Sequence, residues 1–406
     1  MSLGGSDHVI VVGAGLAGWR LVESLRHDGY DGALSLVGDE PEVPYDRPPL
    51  SKQVLRGAWD LEQTVLGTAQ RLESARVTLR LGVPARHLDV AATTLHLEDG
   101  TTIAGTHVAI ATGSRARRLD FSAAERVHVL RTRAHAARLL AELDALGPGR
   151  IAVVIGGGFI GAEVATALAS RGLRVIVLER LRRPLLGPLG PVVAEWLANL
   201  ASAAGVDLRV EQEVLDVTED AGALVVHLGD GSSITAGLVV LGAGSQANVE
   251  WLATSGLSID DGVVVDDRLQ ATERVAAIGD VARFTWHGPL GAQLVRIEHW
   301  QVAADHAAAL SRVWVRAQEP GPLVPYFWSD QYGTKIQMLG HPQGDDDVVR
   351  VLERDGGARW LGVYSRRGIV SGIVALGLPR ALTLSRTLIE TPTSLEVALR
   401  HAPWSA

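Results

Sequence analysis

The sequence predicts an α/β protein with two Rossmann-like nucleotide-binding domains and a C-terminal α+β domain. Three observations carry that prediction. An apolar strand pattern at 9–12 runs into the turn Gly13-Ala14-Gly15-Leu16-Ala17-Gly18, and a helical pattern follows. The same order of strand, G-x-G-x-x-G and helix returns at Gly156-Gly157-Gly158-Phe159-Ile160-Gly161. Beyond the boundary marked by Pro320, Pro322 and Pro325 the chain has no such motif. In each turn the first glycine permits the tight bend and the second lets backbone approach a pyrophosphate. The third lets helix and strand pack closely, and the helix N-terminus presents oriented N–H groups to phosphate. One copy is a weak signal. Two copies predict two dinucleotides in one protein, and two dinucleotides that meet usually exchange a hydride.

The elements follow in order. The second strand, 33–37, closes on Gly38-Asp39-Glu40, where an acid is expected to hold a ribose hydroxyl pair. Pro44, Pro48 and Pro49 then predict an extended turn with no regular helix before Leu50. Residues 85–97 and 101–109 read as strands around Glu98-Asp99-Gly100, and the apolar strand 107–111 ends in Thr112-Gly113-Ser114. In the second copy, the strand 174–178 ends on the acid Glu179, and a helix is expected over 191–204. A hairpin turns through Gly229-Asp230-Gly231, and the strand 238–241 ends in Gly242-Ala243-Gly244, an echo of Ala111-Thr112-Gly113. The repeat is therefore a whole subdomain and not a coincidence of glycines. Residues 275–278 form another strand-like run capped by Gly279-Asp280, and a long helix at 302–317 follows Glu298-His299-Trp300. From 323 to 406, short strands alternate with one late helix near 394–401.

Composition narrows the function. At 406 residues the chain has room for two or three domains, and 47% hydrophobic with 21% charged residues is ordinary for a globular protein. A net charge of −8 speaks against nucleic-acid binding, which calls for a basic surface. There is no cysteine, so redox disulfides, thiolate metal sites and Fe–S ligation within the chain are excluded. Histidine spacing offers no metal motif either. Lysine occurs only at Lys52 and Lys335, so arginine supplies nearly all of the 38 basic side chains. No segment is apolar and long enough to span a bilayer. The start at 1–6 lacks the layout of a signal peptide and reads as a short leader or an expression remnant. A cytoplasmic protein without membrane contact is expected.

These residues resemble the FAD-dependent ferredoxin reductases of the glutathione-reductase superfamily, of the putidaredoxin reductase type that serves bacterial cytochrome P450s and ring-hydroxylating oxygenases. The resemblance spans essentially the whole chain. It rests on Gly13 to Gly18, Tyr45 to Lys52, Ala111-Thr112-Gly113, Leu130-Arg131-Thr132 and Gly156 to Glu163. Further along it rests on Gly279-Asp280, Glu298-His299-Trp300 and Phe327-Trp328-Ser329-Asp330-Gln331-Tyr332. It implies an FAD domain (1–115 and 246–322) interrupted by an NAD domain (116–245), then a C-terminal interface domain (323–406). It implies NADH, ahead of NADPH, giving a hydride to FAD, and single electrons passing to a [2Fe–2S] ferredoxin that supplies a P450 or another oxygenase. Rubredoxin reductase, NADH oxidase and an NADH-sensing flavoprotein like apoptosis-inducing factor are the alternatives. A monomer or a weak homodimer is expected.

The resemblance also assigns residues. The turn Gly13 to Gly18, with Ala111, Thr112 and Gly113, would hold FAD, with Asp39 or Glu40 on its ribose. Ala85 and Arg131 would touch FAD, Gly279 and Asp280 its ribityl-pyrophosphate region, and Glu298, His299 and Trp300 the flavin ring. Gly156, Gly158, Phe159, Ile160, Gly161 and Gly244 would hold the nicotinamide cofactor, with Glu179 on its ribose. Lys52 and Glu163 are expected to meet beside the flavin, as a catalytic pair that positions the nicotinamide or as a plain interdomain salt bridge. Arg47 would contact the pyrophosphate or hold the proline loop. Arg180, Arg182 and Arg183 would bind a 2′-phosphate or form a solvated loop. Trp300 and Trp328 would shield the flavin or simply pack, and His299 would position rather than transfer protons. Arg312, Arg316, Arg366 and Arg367 are candidates for ferredoxin docking or plain surface. Two departures stand out: Ala247 replaces a usual proline before Asn248, which is expected to loosen that turn, and the match weakens after Gly340.

Overall fold

A computed structural model describes residues 3–405. Met1 and Ser2, part of the leader reading, lie outside the described residues. The α/β class is as expected, and the chain forms two compact units. The first comprises residues 3–46, 65–115 and 246–327; the second comprises 47–64, 116–245 and 328–405. This grouping departs from the expected boundaries, and the first unit runs on to 327 rather than 322. The proline loop after Asp46 groups with the second unit, and that unit takes in both the second nucleotide subdomain and the C-terminal sheet.

In the first unit a five-stranded parallel sheet has the order 275–277, 107–110, 8–12, 33–37, 78–80. Val9, Ile10 and Val11 are fully buried because this strand is central and covered on both faces. The helices Leu16–His27 and Trp300–Arg316 pack together on the sheet, burying Trp19, Leu21, Val22, Leu310 and Trp314. The expected strand at 85–97 is instead a hairpin, Ala85–Asp89 against Thr94–Leu97, whose reversal places Thr93 in the left-handed region. The run 101–109 is also divided. Thr102–Ala104 extends that hairpin, whereas His107–Ile110 joins the parallel sheet. Gly105 lies between them, where a Cβ would meet Ile10 and the His8 carbonyl.

In the second unit the parallel sheet 207–209, 174–178, 151–155, 238–241 repeats the arrangement. The helix expected from Pro191 extends over Leu186–Ala203, with a non-helical break at Gly190. Pro191 thus sits at the first position of the longer segment, where its missing N–H costs nothing. The C-terminal part is a five-stranded sheet ordered 326–331, 334–340, 369–376, 359–366, 347–354. It is followed by three short helices, where one was expected. This sheet is fastened to the nucleotide subdomain: Tyr364 donates its buried hydroxyl to the Leu189 carbonyl at 2.7 Å, and Trp360 meets Trp196 edge to face.

The proline loop corrects another expectation. Pro48–Ser51 is a 3-10 turn with prolines at its first two positions, not an extended segment. Those positions need no N–H donor, so proline starts the turn and fixes its φ.

Candidate nucleotide and redox site

In the first unit the glycine turn is built by close backbone contacts. A Cβ on Gly13 would lie 2.1 Å from the Ala111 carbonyl oxygen, and one on Gly18 would lie 2.0 Å from that of Gly13. Packing within the protein therefore demands those two glycines. Gly15 is different, since nothing lies within 4 Å of its Cβ position. It caps the helix Leu16–His27 without any side-chain hydrogen bond, which leaves the helix N–H groups at Leu16 to Gly18 available to an anion. The second turn repeats the geometry. Cβ atoms on Gly156 and Gly161 would collide with carbonyl oxygens at 2.5 and 2.0 Å, whereas at Gly158 the nearest atom is 4.0 Å away. The helix Phe159–Ser170 also starts without a side-chain cap, and Ile160 is left exposed. Both cradles fit a pyrophosphate.

The strand ends differ between the copies. Gly38 and Glu179 occupy equivalent positions, each donating its N–H to the neighbouring strand, at Arg80 and Arg209. A Cβ on Gly38 would press on Ala14 at 2.7 Å, so the acid of the first copy comes one or two residues later. Asp39 is exposed there, and Glu40 accepts from the Tyr45 hydroxyl at 2.5 Å. In the second copy the Glu179 carboxylate accepts from the N–H groups of Gly157 and Leu181, both at 2.8 Å. Arg180 and Arg182 are exposed, and Arg183 is paired with Glu195. Gly244 has a positive φ and open space around its Cβ position.

The other expected FAD residues of the first unit gather at strand ends. Asn248 donates its side-chain amide to the Thr112 carbonyl, and Thr112 donates its hydroxyl to the Asn248 carbonyl. The Asn248 N–H reaches the Gly113 carbonyl at 3.0 Å. These three bonds hold Ala111-Thr112-Gly113 to the segment that follows Ala247. Asp280 accepts from the Ser114 hydroxyl at 3.2 Å, and the Gly279 N–H donates to His306 Nδ1. Trp300 begins its helix after His299 and donates Nε1–H to Asp46 at 2.8 Å. The Arg20 guanidinium lies over the Trp300 ring, His299 faces Phe327, and Glu298 pairs with Arg296. Ala85 opens its hairpin opposite Leu97.

Arg47, Lys52, Arg131 and Trp328 belong to the second unit. Arg47 donates to the Arg131 carbonyl at 2.8 Å, a contact that holds the proline loop. Trp328 is half-buried. Lys52 and Glu163 meet as expected, at 2.7 Å, with 7% and 2% exposure. They are not alone. Glu163 Oε2 also accepts from the Ser51 hydroxyl at 2.5 Å, and Oε1 accepts from the Ser329 hydroxyl at 2.5 Å. Gln331 donates to Ser329 Oγ at 3.1 Å. Sequence reasoning missed Ser51, Ser329 and Gln331. Their only signal was membership of the two most specific segments, at 48–52 and 327–332.

The docking candidates divide. Arg316 pairs with Asp28, and Arg366 is held by the buried Asp346 at 2.6 Å. Arg312 is half-buried and Arg367 exposed.

The chain is similar to known proteins over nearly its whole length. A family profile described as pyridine nucleotide-disulphide oxidoreductase matches residues 7–307, and one described as reductase C-terminal matches 326–402. Rhodocoxin reductase of Rhodococcus erythropolis is 38% identical over 370 residues, covering 88% of this chain and 86% of that one. The benzene 1,2-dioxygenase system ferredoxin–NAD(+) reductase subunit of Pseudomonas putida is 32% identical, covering 96% and 94%. The crystal structure of a covalent putidaredoxin reductase–putidaredoxin complex matches with a TM-score of 0.91 at 28% identity, over 99% of each chain. The chain belongs to the pyridine nucleotide-disulphide oxidoreductase family.

Proposed function

We propose that this protein is an FAD-dependent NADH:ferredoxin oxidoreductase, passing electrons to a [2Fe–2S] ferredoxin that supplies a cytochrome P450 or a ring-hydroxylating oxygenase. The observation that carries the proposal is the pair of pyrophosphate cradles, each with a central glycine that protein packing does not require. The absence of cysteine removes the disulfide chemistry in the family's name. The relatives act with rhodocoxin, with a dioxygenase ferredoxin and with putidaredoxin, as their names state. Bound FAD supplies the two-electron to one-electron conversion that such a carrier needs.

The chain's own residues bind and orient. The turn Gly13 to Gly18 and its helix hold the FAD pyrophosphate, with Asp39 or Glu40 on the ribose and Asp280 near the ribityl chain. The turn Gly156 to Gly161 holds the nicotinamide cofactor. Lys52 and Glu163 position the nicotinamide and balance charge in a buried setting, where an ion pair is costly unless it has a task. Glu179, fixed by two backbone N–H groups, accepts from ribose hydroxyls and repels a 2′-phosphate, which supports NADH over NADPH. With Arg183 engaged by Glu195, only Arg180 and Arg182 favour the phosphorylated cofactor. No helix among the described residues is long and apolar enough to cross a membrane, and we place the enzyme in the cytoplasm.

The test is cytochrome c reduction by the FAD-loaded protein with NADH and with NADPH, each with and without a [2Fe–2S] ferredoxin. Strong ferredoxin dependence and higher efficiency with NADH are expected. Rapid flavin reduction with no ferredoxin effect would move the assignment to an oxidase or a rubredoxin reductase. Slow reoxidation by every carrier would favour a sensor.

A further inference from the structure

We infer that Ser329 is a positioning residue for Glu163: its hydroxyl, oriented by Gln331, fixes the carboxylate in the plane that the reaction uses. The inference rests on the role proposed above for the Lys52–Glu163 pair. A single contact from Lys52 to Oε2 would leave the carboxylate free to turn about its last bond. It would also leave Oε1 as a buried acceptor with no donor, an arrangement that costs free energy. The second anchor removes both problems. Ser329 is fully buried and donates to Oε1 at 2.5 Å, while Ser51 and Lys52 hold Oε2 at 2.5 and 2.7 Å.

The proton direction is settled by counting donors. A hydroxyl has one hydrogen and two acceptor sites. Gln331 Nε2 donates to Ser329 Oγ, so the Ser329 hydrogen is left for the carboxylate. Gln331 is itself buried, with 1% exposure. The segment is also registered on the helix Phe159–Ser170 at a second point, because the Tyr332 N–H donates to Thr166 Oγ1 at 3.0 Å. Residues 163 and 166 lie three apart and so share a helix face. The contact is therefore part of a two-point seat. Buried side chains locked by such a shell hold the geometry that a reaction needs.

Without the Ser329 hydroxyl, Oε1 loses its donor and the carboxylate is free to turn about its last bond, so the pair with Lys52 loses its fixed geometry. The experiment is anaerobic stopped-flow reduction of the FAD-loaded enzyme by NADH, over a range of NADH concentrations, for wild type, Ser329→Ala, Ser329→Thr, Glu163→Gln and the double variant Glu163→Gln with Ser329→Ala. Ser329→Ala should lower the limiting reduction rate about tenfold. It should leave NADH affinity within about twofold, so that the loss falls on the rate and not on binding. Ser329→Thr should restore the rate, and Ser329→Ala should add nothing in the Glu163→Gln background.

A wild-type rate in Ser329→Ala, with Glu163→Gln slow, overturns the role of Ser329 and leaves the pair intact. An equal loss from Ser329→Ala in both backgrounds also overturns it, because the effect would not run through Glu163. A wild-type rate in Glu163→Gln removes the reading on which the inference stands. If Ser329→Ala retains no flavin, Gln331→Met tests the same link by removing the orienting donor. It should give a smaller loss of the limiting rate with NADH affinity kept, and a wild-type rate overturns the inference.

Discussion

His306 is wholly buried in the helix Trp300–Arg316, edge-on to Phe284, and accepts the Gly279 N–H at Nδ1. With Nδ1 accepting, Nε2 carries the hydrogen of the neutral ring and has no hydrogen-bond partner; a second proton would have to go on Nδ1 and would break the bond from Gly279. Burial pushes its pKa down from 6.5 to about 4, against a smaller opposing pull from Asp280. The sign follows directly. Above pH 6.5 the ring is neutral in folded and unfolded chains alike, and its contribution to stability is intact. As pH falls from 6.5 towards 4, the unfolded chain takes up the proton first and stability is lost. The full loss is roughly 3 kcal/mol. Thermal unfolding midpoints from pH 7.5 to 4.5 should fall less steeply in His306→Gln than in wild type. Parallel slopes would show that other groups control the acid limb. Because His306 supports Gly279 and Asp280, FAD should leave the wild-type protein over the same pH interval.

At the scale of an element, the two glycine turns separate what the fold needs from what a ligand needs. Gly18→Ala drives a Cβ to 2.0 Å from a backbone oxygen and should prevent the first sheet and its helix from docking. Gly15→Ala meets no protein atom, and its φ of −79° suits alanine. It should therefore fold with an unchanged apoprotein melting point and bind FAD at least about tenfold more weakly, because the methyl occupies the space for the pyrophosphate. Unchanged FAD affinity in Gly15→Ala would remove the cradle as the FAD site. The sequence made these turns legible because strand, glycines and helix are contiguous. Asn248 was less so: its bonds to Thr112 and Gly113 join segments remote in sequence, and only the replaced proline beside it drew notice. The 3-10 turn at Pro48–Ser51 was read as extended because prolines exclude a helix interior but not a helix start. Ser51 and Ser329 were silent because a serine beside a motif shows its purpose only when the remote carboxylate is in place.

For the whole molecule, the decisive fact is a missing residue type. A pyridine nucleotide-disulphide oxidoreductase with no cysteine cannot store electrons in a thiol pair or protect them in a charge-transfer contact with a thiolate. Electrons from the nicotinamide cofactor must pass from the bound flavin to an acceptor outside the chain, and a one-electron carrier is the acceptor that the proposal names. The same fact supplies a clean test. Treatment of the FAD-loaded protein with a maleimide, followed by removal of the reagent before ferredoxin is added, should leave NADH-driven ferredoxin turnover unchanged. Removal matters because the cysteine thiolates that hold a [2Fe–2S] cluster are on the partner. Lost activity after that treatment would point to modification of an amine, and Lys52 and Lys335 are the side chains to ask. Lys52 is 7% exposed and tied to Glu163, so it should resist the reagent, whereas Lys335 stands half exposed beside Asp330. Inactivation that persists in Lys335→Arg, with the adduct mapped by mass spectrometry to Lys52 and not to the α-amino group, would mean that the reagent reaches Lys52 and that the buried pair opens.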